Sequence, residues 1–433
     1  MTVRLAWVLL AISCALGSSA ARSAPREVVD QIATLIEDNY FDAARGSAIA
    51  GDLRALALEG RFDGLTEPQD LAAELTELLK PRDHHFSVTW SQQEDQGPVL
   101  SGSALSVDAF ERRNAYGFRR VEMLPGAIGY VDVRTFYDFA SSRPDEPARK
   151  AADAALALIL SADAVIIDLR NNPGGSATMV GYLVSAFTKP GAGIYDVIHY
   201  RAGSESERPA DPYPRPRLDV PLYVLISGRT ASAAEAMAYT LQAAGRAVIV
   251  GEVSNGAANP GGEFPAGQGF NVFVSIGTPV NPLTGTNWEG RGVQPDVHVP
   301  AEQALHRAQI LALEEVLARE PEQSEALDTH WALEALRAAG ATRSGSPLAD
   351  YVGKYTGAVV SADSGNLSLR RDRRPPWTLV RIRGDVFFVQ GEPFRRVQFE
   401  RGPTGEVRRL QLLSSGGRSI WARKLPEAPA ADP

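Results

Sequence analysis

Residues 221–251 read PLYVLISGRTASAAEAMAYTLQAAGRAVIVG and constrain the fold more than any other stretch of the chain. Leu222 to Ile226 is a short apolar run with the length and β-branched content of a buried strand. The turn Ser227–Gly228–Arg229–Thr230 follows, then an Ala-rich helix from about Ser232 to Ala244 that Gly245 stops. Ala247 to Val250 reads as a second buried strand, so the stretch is a βαβ unit of an α/β fold. One hydroxyl, Ser232, sits where strand turns into helix. The first N–H groups of a helix lack intrahelical partners and carry the positive end of its dipole, so an oxyanion forming there is stabilised. Ser232 to Glu235 also spells S-x-x-E, the capping-box signature, and on this stretch alone capping is the commoner reading.

The 433 residues suffice for roughly two to four domains with ample core material. A net charge of -8 and the lack of any basic run argue against a nucleic-acid partner. At the N-terminus, Arg4 precedes the apolar run Leu5 to Leu16 and the small residues Ser18 to Ala21. This pattern is a secretory signal peptide, residues 1–21, too short to be a convincing membrane span. The expected location is therefore periplasmic or secreted, with no membrane span after signal removal. Cys14 leaves with the signal, so the mature chain is expected to have no disulfide, cysteine nucleophile or cysteine-bound metal. His84, His85, His199, His298, His306 and His330 show no metal-ligand spacing, and neither a metal nor a cofactor is expected.

From Arg26 to Lys80 the pattern is helical, with Val28, Ile32, Leu35 and Ile36 on one face and Leu71, Leu75, Leu78 and Leu79 on another. Asp83-His84-His85-Phe86 then enters an extended segment, on which adjacent histidines point to opposite sides. Gln92 to Glu122 is polar and irregular. Strands are expected at Ile128–Val133 and Ala164–Leu169, with a helix over Pro147–Leu160 between them. The second strand runs into DLRNNPGG (168–175), whose glycines leave backbone N–H groups open to close approach before a helix from Met179 to Phe187. Its Walker pattern and lysine are missing, so a phosphate loop is excluded; a tight strand–helix turn remains the plain alternative. Arg201 to Arg217 reads as a surface loop, and Phe270–Ile276 as a strand. Glu302 to Ala339 is helical and broken at Pro321. Short alternating runs between Tyr351 and Leu425 form a separate small antiparallel β domain.

Asp83-x-His85, DLRNNPGG (168–175), TASAAE (230–235) and NWEGRGVQPD (287–296) together resemble the C-terminal processing (tail-specific) serine peptidases. Within that family the closer resemblance is to the tricorn-type, interphotoreceptor retinoid-binding-protein-like branch. The resemblance covers about residues 26 to 300 and implies a crotonase/Clp-protease-like ββα core. Together with the readings above, the chain divides into the signal peptide (1–21), an N-terminal helical subdomain (26–95), the peptidase core (96–300), a helical linker (301–343) and the C-terminal β domain (346–425), which lies outside the resemblance. Carried over by position, Ser232 matches the nucleophile, and Ala233 with the Gly174–Gly175 turn matches the oxyanion donors. The better-known branch uses a lysine base where this chain has Ala257, and no lysine lies between Lys189 and Lys354. The tricorn-type branch instead implies His85 as base and Glu289 as its orienting acid; His84 stands where that branch has a serine. Such a chain is expected to hydrolyse unfolded or flexible polypeptides. The alternative is a weak or inactive relative that binds apolar, lipid- or retinoid-like ligands in the same cleft.

Overall fold

The computed structural model describes residues 25–91, 107–319, 326–339, 345–363 and 365–426. The expected signal peptide and Cys14 lie outside them. No described helix is long and apolar enough to cross a membrane. The described residues form two compact units: 25–91 with Gly261–Ile276, and the remainder.

In the first unit, helices Pro25–Asn39, Ala43–Leu58 and Pro68–Leu79 pack on a three-stranded antiparallel sheet. Strand Ser87–Trp90 pairs with Phe270–Ser275, which pairs in turn with Gly261–Gly267. The helical periodicity has its physical outcome here. Val28, Ile32, Ile36, Leu71, Leu75 and Leu79 are buried against Val272 and Val274 of the sheet. Each such side chain removed from water contributes about 1.5–3 kcal/mol.

The second unit is built on a six-stranded sheet. Its order is Val297–His298, Val248–Gly251, Leu222–Ile226, Ala164–Asp168, Ile128–Val133, Phe118–Leu124. All neighbours are parallel except the last pair. Strand alternation sends Val165, Ile167, Val224 and Ile226 to one face, where helices Pro147–Leu158, Ala177–Ser185 and Ala233–Ala243 cover them. Ala164, Ile166, Tyr223 and Leu225 face the other way, under helices Ala301–Arg319 and Leu327–Ala339. Parallel strands covered on both faces read as unbroken apolar runs, as Leu222–Ile226 does.

Two stretches differ from expectation. Within the stretch read as irregular, residues 92–106 lie outside the described set; beyond them come a helix, Val107–Arg113, and the edge strand Phe118–Leu124. Only Phe118 of that strand is buried, so it lacks the apolar run of its neighbours. The expected loop after Arg201 begins as a hairpin, Val197–Tyr200 with Gly203–Ser206, and the first of these strands also pairs with Gly277–Val280.

The C-terminal region is an eight-stranded antiparallel meander from Gly353 to Arg423. It closes on itself: Tyr355 bridges Lys424, Thr356 N–H donates to the Arg423 carbonyl at 2.9 Å, and Leu425 N–H donates to Lys354 at 2.8 Å. Closure removes exposed strand edges. Tyr351, Leu367, Leu379, Phe387, Val397, Phe399 and Leu410 fill its core.

Burial also sets a pH dependence. Asp196 is 1% exposed, and burial pushes its carboxyl up to about 6 against the opposing hydrogen bonds from Asn281 and Thr240. The folded state thus holds a proton that the unfolded chain has released above pH ~4. Stability from this group is present below that pH and is lost as pH rises through about 6, by on the order of 2–3 kcal/mol. Asp168 acts in the opposite sense, but only at lower pH. Burial pushes its carboxyl up, yet the hydrogen bonds and charge of Arg170, with the Tyr130 hydroxyl, outweigh that and hold it below the usual range. Melting temperatures between pH 4 and 6 should fall with rising pH in the wild type and fall less in Asp196→Asn. An unchanged slope in the variant would refute the assignment.

Candidate active site

The buried strand Leu222–Ile226 ends in a turn locked from within. Thr230 is fully buried; its hydroxyl donates to the Leu169 carbonyl at 2.7 Å and accepts from Ser227 N–H at 3.0 Å. Ala231 N–H donates to the Asn172 carbonyl at 3.1 Å, which ties this turn to the DLRNNPGG turn. Ser232 follows with φ 50° and ψ -124°, a conformation that non-glycine residues rarely adopt and that structure elsewhere must enforce. It sits at the N-terminus of helix Ala233–Ala243, partly exposed.

Ser232 and Glu235 do face each other as a capping box. Ser232 N–H donates to Glu235 Oε2 at 2.9 Å. The return half is weak, because Glu235 N–H donates to the Ser232 carbonyl at 2.8 Å and the hydroxyl makes no full cap hydrogen bond.

The glycine turn packs directly on this elbow. Gly174 has φ 112° and Gly175 φ 131°. A Cβ at Gly174 would fall 2.9 Å from Ser232 Cβ and 3.0 Å from the Ala233 nitrogen. Gly174 N–H donates to Asn172 Oδ1 at 2.8 Å. Phe136 N–H donates to the Gly174 carbonyl at 2.9 Å, and Ser176 N–H to the Phe136 carbonyl at 2.7 Å. The N–H groups of Gly175 and Ala233 donate to no described residue. The structure therefore brings Ser232, Gly174, Gly175 and Ala233 together, and of the expected donors it commits Gly174 N–H elsewhere.

Glu289 belongs to the same unit. Its Oε2 accepts from Ala258 N–H at 2.7 Å and Asn259 N–H at 3.1 Å, and its own N–H donates to Asn287 Oδ1 at 2.9 Å. His85 belongs to the other unit. Sequence periodicity placed it on an extended segment, but His84 and His85 form a turn before strand Ser87–Trp90. The cause is Asp83, buried behind them. Its Oδ1 accepts from His85 N–H at 2.9 Å and its Oδ2 accepts from the Tyr40 hydroxyl at 3.1 Å. His84 is exposed; His85 is partly buried, with its ring stacked 5.8 Å from Phe273 and Nδ1 3.6 Å from Asp83 Oδ1.

Sequence reasoning missed Asn172, which is fully buried; its carbonyl joins the two turns and its side chain braces its own turn. The available signal was its place directly before Pro-Gly-Gly, where an Asn side chain can take up the N–H of the residue two on.

Residues 127–299 match the model described as peptidase family S41. That segment of the chain is similar to the family. The matched segment holds the Gly174–Gly175 turn, the Ser232 elbow and Glu289; His85 and the C-terminal barrel lie outside it. The chain is 27% identical over 227 residues to a chloroplastic carboxyl-terminal-processing peptidase 1 of Arabidopsis thaliana, an alignment covering 52% of this chain and 44% of that one. It is 33% identical over 141 residues to a carboxyl-terminal-processing protease of Picosynechococcus sp., covering 33% of each. It thus spans less than half the length of either relative. Among solved structures, a photosystem II D1 C-terminal processing protease gives a TM-score of 0.41 at 15% identity over 65% of this chain and 94% of that one.

Proposed function

We propose that this chain is a family S41 serine endopeptidase acting on unfolded or flexible polypeptides in the cell envelope or outside the cell. The observation that carries the reading is the Ser232 elbow. A partly exposed hydroxyl is held at positive φ against a glycine turn, with the N–H groups of Gly175 and Ala233 not otherwise engaged. In this mechanism Ser232 Oγ attacks the scissile carbonyl while the His85 imidazole takes its proton. The oxyanion takes hydrogen bonds from Gly175 and Ala233 N–H, and Gly174 shapes the turn. Imidazolium then protonates the leaving amine, and His85 activates the water that hydrolyses the acyl-Ser232 ester. Glu289 holds the tautomer and charge of the imidazole. The absence of any lysine between Lys189 and Lys354 supports a histidine base over a lysine base.

A serine-reactive phosphonate, followed by peptide mapping, tests the assignment. Label on Ser232 is the expected result. No label, together with a copurified apolar ligand, would replace the peptidase by the carrier alternative.

A further inference from the structure

We propose that Glu235 is a positioning residue that locks the Ser232 elbow and the Glu289 loop into one piece. The inference rests on the peptidase reading above and deepens it.

Glu235 is fully buried on the first turn of the elbow helix, and its carboxyl is saturated. Oε2 accepts from Ser232 N–H and from Ala257 N–H, both at 2.9 Å. Oε1 accepts from Gly256 N–H at 2.6 Å and from the Ser254 hydroxyl. Ser254 Oγ in turn accepts from Val293 N–H at 2.6 Å. Helix capping needs only the first of these bonds. The others reach segments 19 to 22 residues further along the chain.

Those segments carry the proposed orienting acid. Glu289 Oε2 takes Ala258 and Asn259 N–H, the next two amides after the pair that Glu235 takes. Four consecutive backbone N–H groups, 256 to 259, are thus divided between two carboxyls. Gly290 N–H donates to the Gly256 carbonyl at 2.8 Å and closes the two loops on each other. A Cβ at Gly256 would fall 3.1 Å from the Gly292 nitrogen, so the backbones meet with little slack. A buried carboxyl is seldom more stabilising than an apolar side chain of its size, whereas removing its hydrogen bonds leaves several buried donors unpaired. What this one supplies is a fixed distance from a strained Ser232 backbone to the loop beneath Glu289.

Glu235→Gln keeps the volume but must turn an amide N–H₂ toward the N–H groups at one of the two oxygens. With the full chain and a denatured, fluorescently labelled protein as substrate, kcat should fall by about a hundredfold, with KM changed by less than about threefold. If Glu235 and Glu289 act through one loop, Glu235→Gln/Glu289→Gln should lose no more than the worse single variant. Ser254→Ala, milder because it removes only one of the four bonds to the Glu235 carboxyl, should lower kcat by roughly tenfold and serves if the Gln variant does not fold. Wild-type kcat in a folded Glu235→Gln, or losses that simply multiply in the double variant, would overturn the proposal. Ser232→Ala run alongside separates the two readings: continued cleavage by it removes the peptidase assignment itself. An inactive Ser232→Ala beside a fully active Glu235→Gln removes only the positioning role.

Discussion

Ser232→Ala is expected to abolish cleavage of a denatured protein, lowering kcat on the order of a thousandfold or more, with melting almost unchanged. The second half of that expectation separates nucleophile from cap. A serine whose hydroxyl satisfies a helix N–H is worth about 0.5–2 kcal/mol against alanine, and a purely capping Ser232 would show that loss with no activity to remove. Here Glu235 N–H donates to the Ser232 carbonyl, and the hydroxyl makes no full cap bond, so its removal should change stability by less than about 1 kcal/mol. His85→Ala and Glu289→Gln should each lose activity, Glu289→Gln less severely. Combining all three should lose little more than Ser232→Ala alone, because members of one catalytic unit are not additive. Undiminished proteolysis in purified Ser232→Ala protein would end the argument.

How much of this was legible in the sequence follows from the range of the forces involved. Leu222–Ile226 and most of Ala164–Asp168 were readable because strands covered on both faces are apolar runs, and Ile128–Val133 was readable from its alternation. Phe118–Leu124 was not, since an exposed edge strand needs no such run. The hairpin's second strand, Gly203–Ser206, is fully exposed and was hidden under Ser and charge for the same reason. Closure of the C-terminal meander depends on Tyr355 meeting Lys424 at its far end, and nothing local in either residue announces a partner that distant. The same holds for Phe270–Ser275, recognisable as a strand but not as the neighbour of Ser87–Trp90. At the site, the residue types at Ser232, Gly174 and Gly175 carried their own chemistry. Glu235 did not, because S-x-x-E already explained it as a cap. Its bonds to Gly256, Ala257 and Ser254 exist only once the chain has folded back on itself.

Gly175→Ala should be nearly as damaging as loss of the nucleophile, although it removes no reactive atom. At φ 131° any side chain is strained, at about 1–3 kcal/mol for a single residue held in such a region. The added Cβ would also fall 2.2 Å from the Phe136 carbonyl oxygen, so backbone has to move. The movement falls where it matters most, because Gly175 N–H is one of two donors assigned to the oxyanion. Losing one such donor lowers kcat by about 10²–10³-fold with little change in KM. Gly174→Ala should act differently. Its N–H is already bound to Asn172 Oδ1, so no oxyanion donor is lost; the new Cβ presses on Ser232 Cβ and Ala233 N and displaces the nucleophile instead. Phosphonate labelling rates distinguish these effects. A probe that reacts through Ser232 Oγ and places its phosphoryl oxygen toward the same donors should be slowed in both variants. Only Gly174→Ala should also slow a small alkylating reagent that needs the hydroxyl but no oxyanion donor. Wild-type kcat in a folded Gly175→Ala protein would mean that the second donor lies elsewhere, and the turn would then be scaffold for the elbow alone.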